Sequence, residues 1–209
     1  MITTLLIALM AGLASALMFA SIISGALISL LLVNLAPLPL MVVGLGWGPL
    51  GAAIGGLAAM ATLGSVFGFA YSAAFGLMNA LPACWLSHLV LLARPQAAAS
   101  AEAPEAMEWY PIGRILLWIV IFATLVTAAT LLTMGSDDQA IQHTIRRGWV
   151  QLLDAAGFAS NESTLDMLVL ISPLGAEIAA VMMLTLNLWL GAKMAATSGR
   201  LHRPWPDLN

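Results

Sequence analysis

The chain has 209 residues, of which 61% are hydrophobic and only 8% are charged, and its mean hydropathy is +0.98. In soluble globular domains about a quarter of residues are charged. The composition therefore excludes that class and indicates an integral membrane protein. The net charge of −3 argues against a nucleic-acid partner, because such a partner requires a basic surface.

The first half of the chain carries no Asp, Glu, Lys or Arg before Arg94. A transmembrane helix needs about 20 apolar residues, so residues 1–93 have room for four short-looped spans or three longer, tilted ones. We favour four. With the later segments this predicts an all-α polytopic membrane protein with about six transmembrane helices plus one amphipathic interfacial helix.

The first predicted helix carries small residues at four-residue spacing, namely Ala8, Gly12, Ala16 and Ala20, with Ser24 continuing the series. Such a ridge lets another helix backbone approach closely. The pattern favours a contact with a helix of the same chain and leaves open a contact with a partner protein. Under the second alternative Ala8, Gly12, Ala16 and Ala20 form the partner interface.

Prolines and glycines interrupt the second span, predicted over residues 26–44. Pro37 and Pro39 cannot donate backbone hydrogen bonds and disturb its later half, next to Asn34. Residues 46–49 then predict a turn into the third helix. That helix contains Gly51 and Gly55 at the GxxxG spacing of close helix packing.

The fourth span, about residues 69–92, places Tyr71, Phe75, Asn79 and Pro82 along one face by helical spacing. This face is mixed, aromatic and polar. It suits either the lining of a cavity or a kinked core helix with a satisfied asparagine.

The second half divides by charge and apolar period. The whole chain, residues 1–209, is predicted to form a single membrane domain. Its second half is predicted to contain a linker (94–111), a fifth span (112–134), an amphipathic helix (136–157), a sixth span (165–193) and a tail (194–209). The amphipathic helix is expected to lie in the membrane interface, and a lid over a cavity is the alternative. Basic residues at the linker-side ends of the spans and in the tail outnumber those of the amphipathic helix five to two: Arg94, Arg114, Lys193, Arg200 and Arg203 against Arg146 and Arg147. By the positive-inside rule, linker, tail and N-terminus are therefore cytoplasmic.

Glu177 is the only acid or base deep in any predicted span. An ionisable residue at such depth is by default a functional-site hypothesis. The structural alternative is a carboxyl group hydrogen-bonded to Asn34, Asn79 or a carbonyl freed by proline. A second break at Pro173 and Gly175 precedes it, and if the two breaks meet, Asn34 and Glu177 share one pocket. The candidate ligand-binding residues are Asn34, Tyr71, Asn79 and Glu177.

Catalysis is not predicted from these residues. Cys84 and His88 are four residues apart on one helix, but no acid lies nearby in sequence to orient the histidine. No cluster has metal-ligand spacing and no nucleotide loop is present. We therefore expect no enzyme activity, no cofactor and no metal.

The segment LNLWLGAKMAATSGRLHRPWPDLN, from Leu186 to Asn209, together with PLPLMVVGLGWGPLGAAIGG, resembles the bacterial YybS-like predicted membrane proteins. That resemblance implies the bacterial inner membrane and no established activity. GLGWGPLGAAIGG and the first-helix ridge are also similar, more weakly, to the S-components of energy-coupling-factor transporters. That likeness implies that Ala8, Gly12, Ala16 and Ala20 contact a transporter coupling subunit.

The sequence leads to two hypotheses of different kinds. The first is a membrane protein that binds a small molecule or lipid in a helix-lined cavity, as the substrate-binding subunit of a transport system. The second is a non-catalytic accessory or assembly subunit that docks on another membrane complex through its small-residue helix faces.

Overall fold

The computed structural model describes residues 2–24, 26–95, 107–134, 137–158 and 161–205. Within these ranges the chain is almost entirely helical, and six helical segments are long and apolar enough to cross a membrane. The predicted class, an all-α polytopic membrane protein with about six spans, is confirmed. An amphipathic helix, α8, lies in sequence between the last two spans.

The helices follow the chain in this order: α1 (Ile2–Ala20), α2 (Leu27–Asn34), α3 (Pro37–Trp47), α4 (Pro49–Phe67), α5 (Phe69–Phe75), α6 (Leu81–Leu91), α7 (Ile112–Met134), α8 (Asp138–Ala155) and α9 (Glu162–Thr197). A 3-10 turn follows α1, and a π-helical turn, Gly76–Ala80, joins α5 to α6. Strands β1 (Ala93–Pro95) and β2 (Met107–Trp109) pair antiparallel at the ends of the linker. Residues 96–106, most of the predicted linker, lie outside the described ranges.

Two compact units divide the chain. Unit 1 comprises Met1–Ile119 and Met183–Asn209, and unit 2 comprises Val120–Met182. Helices α7 and α9 contribute residues to both units. The two units are described separately below.

The ridge of α1 packs against α4 inside unit 1. A Cβ atom added at Gly12 would overlap the carbonyl of Gly55, and one added at Gly55 would lie 2.6 Å from the carbonyl oxygen of Ala8. Ala8 and Ala16 are buried, with 0% and 3% of their surface exposed. The ridge therefore makes the intrachain contact, and small residues on both helices allow α1 and α4 to pack closely.

Proline and glycine residues divide the chain into more separate helices than expected. The second span, expected as one disturbed helix, is two: α2 ends at Asn34 and α3 begins with Pro37, where the missing N–H costs nothing. Gly48, with φ of 97°, makes the turn into α4, while Gly46 remains helical.

The fourth span contains a π-helical turn directly before Pro82. The N–H of Leu81 donates to the carbonyl of Gly76, five residues earlier. The kink expected here thus takes the form of one wide turn, which contains Asn79.

The sixth span does not begin anew at Pro173. Helix α9 runs through it without interruption for 36 residues, about 54 Å at 1.5 Å per residue. That length exceeds the roughly 30 Å of a bilayer core, so part of α9 extends beyond the apolar layer.

Candidate ligand groove beneath helix α8

Three of the four predicted ligand-binding residues lie in unit 1. The exposed amide of Asn34 donates to the carbonyl of Leu30 in its own helix, at 2.6 Å. The hydroxyl of Tyr71 donates to the carbonyl of Phe19 at 3.3 Å. Asn79 is buried in the π-helical turn, with 4% of its surface exposed. Their part in ligand binding stays a prediction.

Aromatic rings surround Tyr71 and explain its position. Its ring lies 5.1 Å from those of both Phe19 and Phe67, and Phe19 also meets Phe75 edge-on at 5.3 Å. Such tilted pairs stabilise a core beyond their buried area. The aromatic face predicted on the fourth span is therefore part of the interior of unit 1.

Asn187 is a buried polar residue that the sequence reasoning missed. It is 0% exposed, and its Nδ2 donates to the backbone carbonyls of Asn34 and Met183, both at 2.8 Å. Its Oδ1 has no hydrogen-bond partner among the described residues. Asn187 ties α9 to the end of α2, where the backbone breaks before Pro37. Proline had marked that break, but nothing in the sequence paired it with a residue so distant in the chain.

Unit 2 contains an open groove beneath α8. A cavity of 710 Å³ is lined by the first half of α8 together with Leu131 of α7 and Asp166 to Pro173 of α9. A second, of 380 Å³, is lined by residues of α8 from Thr144 to Leu152, of α7 from Val126 to Leu131 and of α9 from Ser172 to Ala180. Leu131, Ile145 and Pro173 line both cavities. We call the two together the α8 groove.

The two halves of the α8 groove differ in chemistry. The larger cavity has a polar rim, with Asp138, Gln139, Gln142, His143, Arg146 and Asp166 among its lining residues. The smaller is mainly apolar, with Val126, Leu152, Ala176 and Ala180 among its lining residues. A site with one polar and one apolar end suits an amphiphilic molecule.

Arg146 holds α8 to the start of α9. Its Nη1 donates to Asp166 Oδ1 at 2.5 Å, and its Nη2 forms an ion pair with Glu162. The hydrogen bond to Asp166 raises the pKa of the Arg146 guanidinium, and the two carboxylate charges act in the same direction. The sequence analysis did not predict this contact. The available signal was the pair Glu162 and Asp166, four residues apart and so on one helix face.

A second polar contact lies one helical turn further along α8. The indole Nε1 of Trp149 donates to Ser172 Oγ at 2.7 Å, and Ser172 in turn donates to the carbonyl of Leu168 at 2.5 Å. Ser172 precedes Pro173, so the contact forms beside the proline of α9. The groove is thus bounded by specific polar contacts as well as by apolar side chains.

Glu177 lies in unit 2, one turn beyond Pro173, and is half-buried. Its Oε1 is 2.9 Å from the hydroxyl of Thr124, which also lies 3.0 Å from the carbonyl of Val120. The amide partners suggested by the sequence, Asn34 and Asn79, belong to unit 1. The nearby residues Ala176 and Ala180 line the groove. A pocket shared by Asn34 and Glu177 stays a prediction.

Comparison of the chain with family models, with curated proteins and with solved structures finds no match. The resemblances to YybS-like proteins and to S-components therefore stay expectations from the sequence.

Proposed function

We propose that this integral membrane protein binds an amphiphilic small molecule or lipid in the α8 groove. The observation that supports the proposal is the pairing of a polar rim at one end of the groove with an apolar region at the other. The headgroup would lie near Gln142, His143 and Arg146, and the apolar part near Val126, Leu152 and Ala180. Helix α8 would then cover the groove, which is the lid alternative given in the sequence analysis.

Transport is the activity that this binding would serve. A chain that holds a ligand under an amphipathic helix suits the substrate-binding subunit of a transport system, as the weaker resemblance to S-components implies. We place the protein in the bacterial inner membrane with both ends of the chain cytoplasmic. The support is the excess of Lys and Arg in the linker and tail. A reporter enzyme that works only in the cytoplasm should be active when fused at Asn209, and one that works only outside the cytoplasm should be inactive. The opposite result would reverse the orientation.

Native mass spectrometry of protein extracted in mild detergent tests the binding proposal. Wild-type protein should retain an amphiphile that Ile145→Trp loses, because Ile145 lines both cavities and the indole would fill the groove. Leu153→Trp is the matched control, since Leu153 is on the same helix and is not among the lining residues. Equal retention by wild type and Ile145→Trp would refute the site.

The role of Glu177 is tested in the same assay. Glu177→Ala removes the carboxylate next to the groove but leaves the lining residues in place. If Glu177 contacts the ligand, retention should fall as it does for Ile145→Trp. Unchanged retention, with lower thermal stability, would assign Glu177 to the structural contact with Thr124.

A further inference from the structure

We propose that unit 1 carries a second site, specific for an anionic phospholipid, in a groove between α7, α9 and the segment that follows α9. This groove has a volume of 190 Å³, and its lining residues include Ile115, Ile119, Leu188, Ala192, Arg203 and Trp205. We call it the tail groove. All of its lining residues belong to unit 1, so the proposal does not depend on the α8 groove.

The shape and chemistry of the tail groove suit an acyl chain. Its walls follow α7 from Ile112 to Ile119 and α9 from Thr185 to Ala192, which is about 10 Å of helix at 1.5 Å per residue. Apart from Thr185 and Arg203 the lining side chains are apolar or aromatic. A groove of this composition on a membrane-spanning helix pair would hold a hydrocarbon chain.

Arg203 supplies a positive charge at the helix-terminal end of this groove. Its Nη1 donates to the carbonyl of Val90 at 3.3 Å, and its guanidinium lies 5.9 Å from the ring of Trp109. Val90 is near the end of α6, and Trp109 shortly precedes α7, so Arg203 sits where helices end and not along their middle. Partial burial lowers the pKa of Arg203, as expected for a cation removed from water.

Further cations lie at the ends of the same helices. Lys193 Nζ is 5.2 Å from the ring of Trp205, which lines the tail groove. Arg114 is exposed in the first turn of α7. The guanidinium of Arg200 lies 4.4 Å from the ring of Trp47, at the end of α3. Tryptophan and basic residues at helix ends are typical of the membrane interface.

These cations lack acidic partners among the described residues of unit 1. The one acidic residue there is Glu108, and it is paired with Arg94. Arg114, Lys193, Arg200 and Arg203 thus have no ion pair with a carboxylate within the described residues of unit 1. An anionic phosphate near Arg203 and Lys193, with its acyl chain in the tail groove, would complement both the charge and the apolar surface.

The test compares dioleoyl phosphatidylglycerol with dioleoyl phosphatidylcholine by native mass spectrometry of the full chain in mild detergent. The phosphatidylglycerol should bind more tightly. Arg203→Gln and Lys193→Gln should each weaken it by about fivefold, the usual contribution of one basic residue at an anionic membrane surface. Arg203→Lys, which keeps the charge, should restore most of the preference and guards against a folding defect in Arg203→Gln.

Two matched controls separate this site from general surface charge and from general hydrophobicity. Arg147→Gln removes an exposed charge in unit 2, outside the tail groove, and should leave the preference intact. Ala192→Trp, which fills the groove, should abolish it, whereas Leu117→Trp, an exposed position of α7 outside the lining, should not. Soluble glycerol phosphate should not compete, because it has no acyl chain.

The opposite results would overturn the proposal. These are equal binding of the two lipids, an equal loss in Arg147→Gln and Arg203→Gln, unchanged binding in Ala192→Trp, or effective competition by glycerol phosphate.

Discussion

Several helix glycines of unit 1 are tightly packed, whereas Gly148 and Gly175 in the helices of unit 2 are not. In unit 1, Gly12, Gly44, Gly55 and Gly56 face atoms so close that an added Cβ would meet them at 3.1 Å or less. In unit 2, nothing lies within 4 Å of an added Cβ at Gly148 or Gly175. In unit 1, α1 and α4 meet backbone to backbone at Gly12 and Gly55, whereas unit 2 leaves space beneath α8, where Arg146 and Trp149 make polar contacts. A region with fewer packed contacts opens at lower free energy and can admit a ligand.

Glycine-to-alanine substitutions should show the largest difference in stability between the two units. Gly12→Ala places a methyl group against the carbonyl of Gly55 and should destabilise the protein by about 2–3 kcal/mol through overpacking. Gly175→Ala, in open space on a helix, should be neutral or stabilise by up to about 1 kcal/mol. Reversible unfolding in mixed micelles measures both. Equal losses would contradict the contrast in packing.

The buried amide of Asn187 should have the next largest effect. Asn187→Ala removes two hydrogen bonds and leaves the carbonyl of Asn34 without this donor, at a cost of about 1–2 kcal/mol. Asn34→Ala is the control, because it keeps the backbone carbonyl that Asn187 contacts and removes only an exposed side chain. It should change stability by less than about 0.5 kcal/mol in the same unfolding assay. A larger loss in the control would mean that the side chain of Asn34 has a role of its own.

Ser87 should show a smaller effect in the opposite direction. Its hydroxyl is fully buried, has no hydrogen-bond partner in the described part of the chain, and lies 2.6 Å from where a Cβ of Gly44 would be. Ser87→Ala removes an unsatisfied polar group, so stability should stay the same or rise by up to about 1 kcal/mol. Thermal unfolding in detergent measures the change. A clear loss would show that the hydroxyl has a partner, such as a bound water.

Arg146→Gln should affect α8 with little change in global stability. The variant loses the contacts to Glu162 and Asp166, so amide hydrogen exchange should speed up in α8 while the unfolding midpoint stays constant. High salt should partly mimic the variant, because exposed ion pairs are screened. Arg147→Gln is the matched control, since Arg147 forms no ion pair within the described residues. Faster exchange in both variants would remove Arg146 from its proposed role.

Particular elements show how far the sequence reasoning reached. Pro37, Gly48 and Pro82 marked irregular backbone correctly, because missing donors and unusual dihedrals are properties of single residues. The form of the irregularity was not predictable in the same way. A helix restart at Pro37, a π-helical turn before Pro82 and an unbroken helix through Pro173 each depend on which neighbours satisfy the freed backbone groups.

The candidate sites illustrate the same limit. Glu177 stood out because an ionisable residue in an apolar run is rare, but its partner, Thr124, lies on a different helix. The ion pairs of Arg146 with Glu162 and Asp166 could not be predicted, since periodicity ranks residues by face and does not say which face another helix covers. The first-helix ridge predicted close packing, and its neighbour, α4, could be chosen only once the helices were assembled.

The membrane class and the six spans follow from the sequence alone, because the cost of placing a segment in hydrocarbon depends on its length and composition. The amphipathic character of α8 follows for the same reason, since it is a local periodic property. Tertiary structure decided the rest: that Gly12 meets Gly55, that Asn187 binds the carbonyl of Asn34 and that α8 covers a groove. Those contacts join residues far apart in the chain, and their free energy exists only when both surfaces are in place.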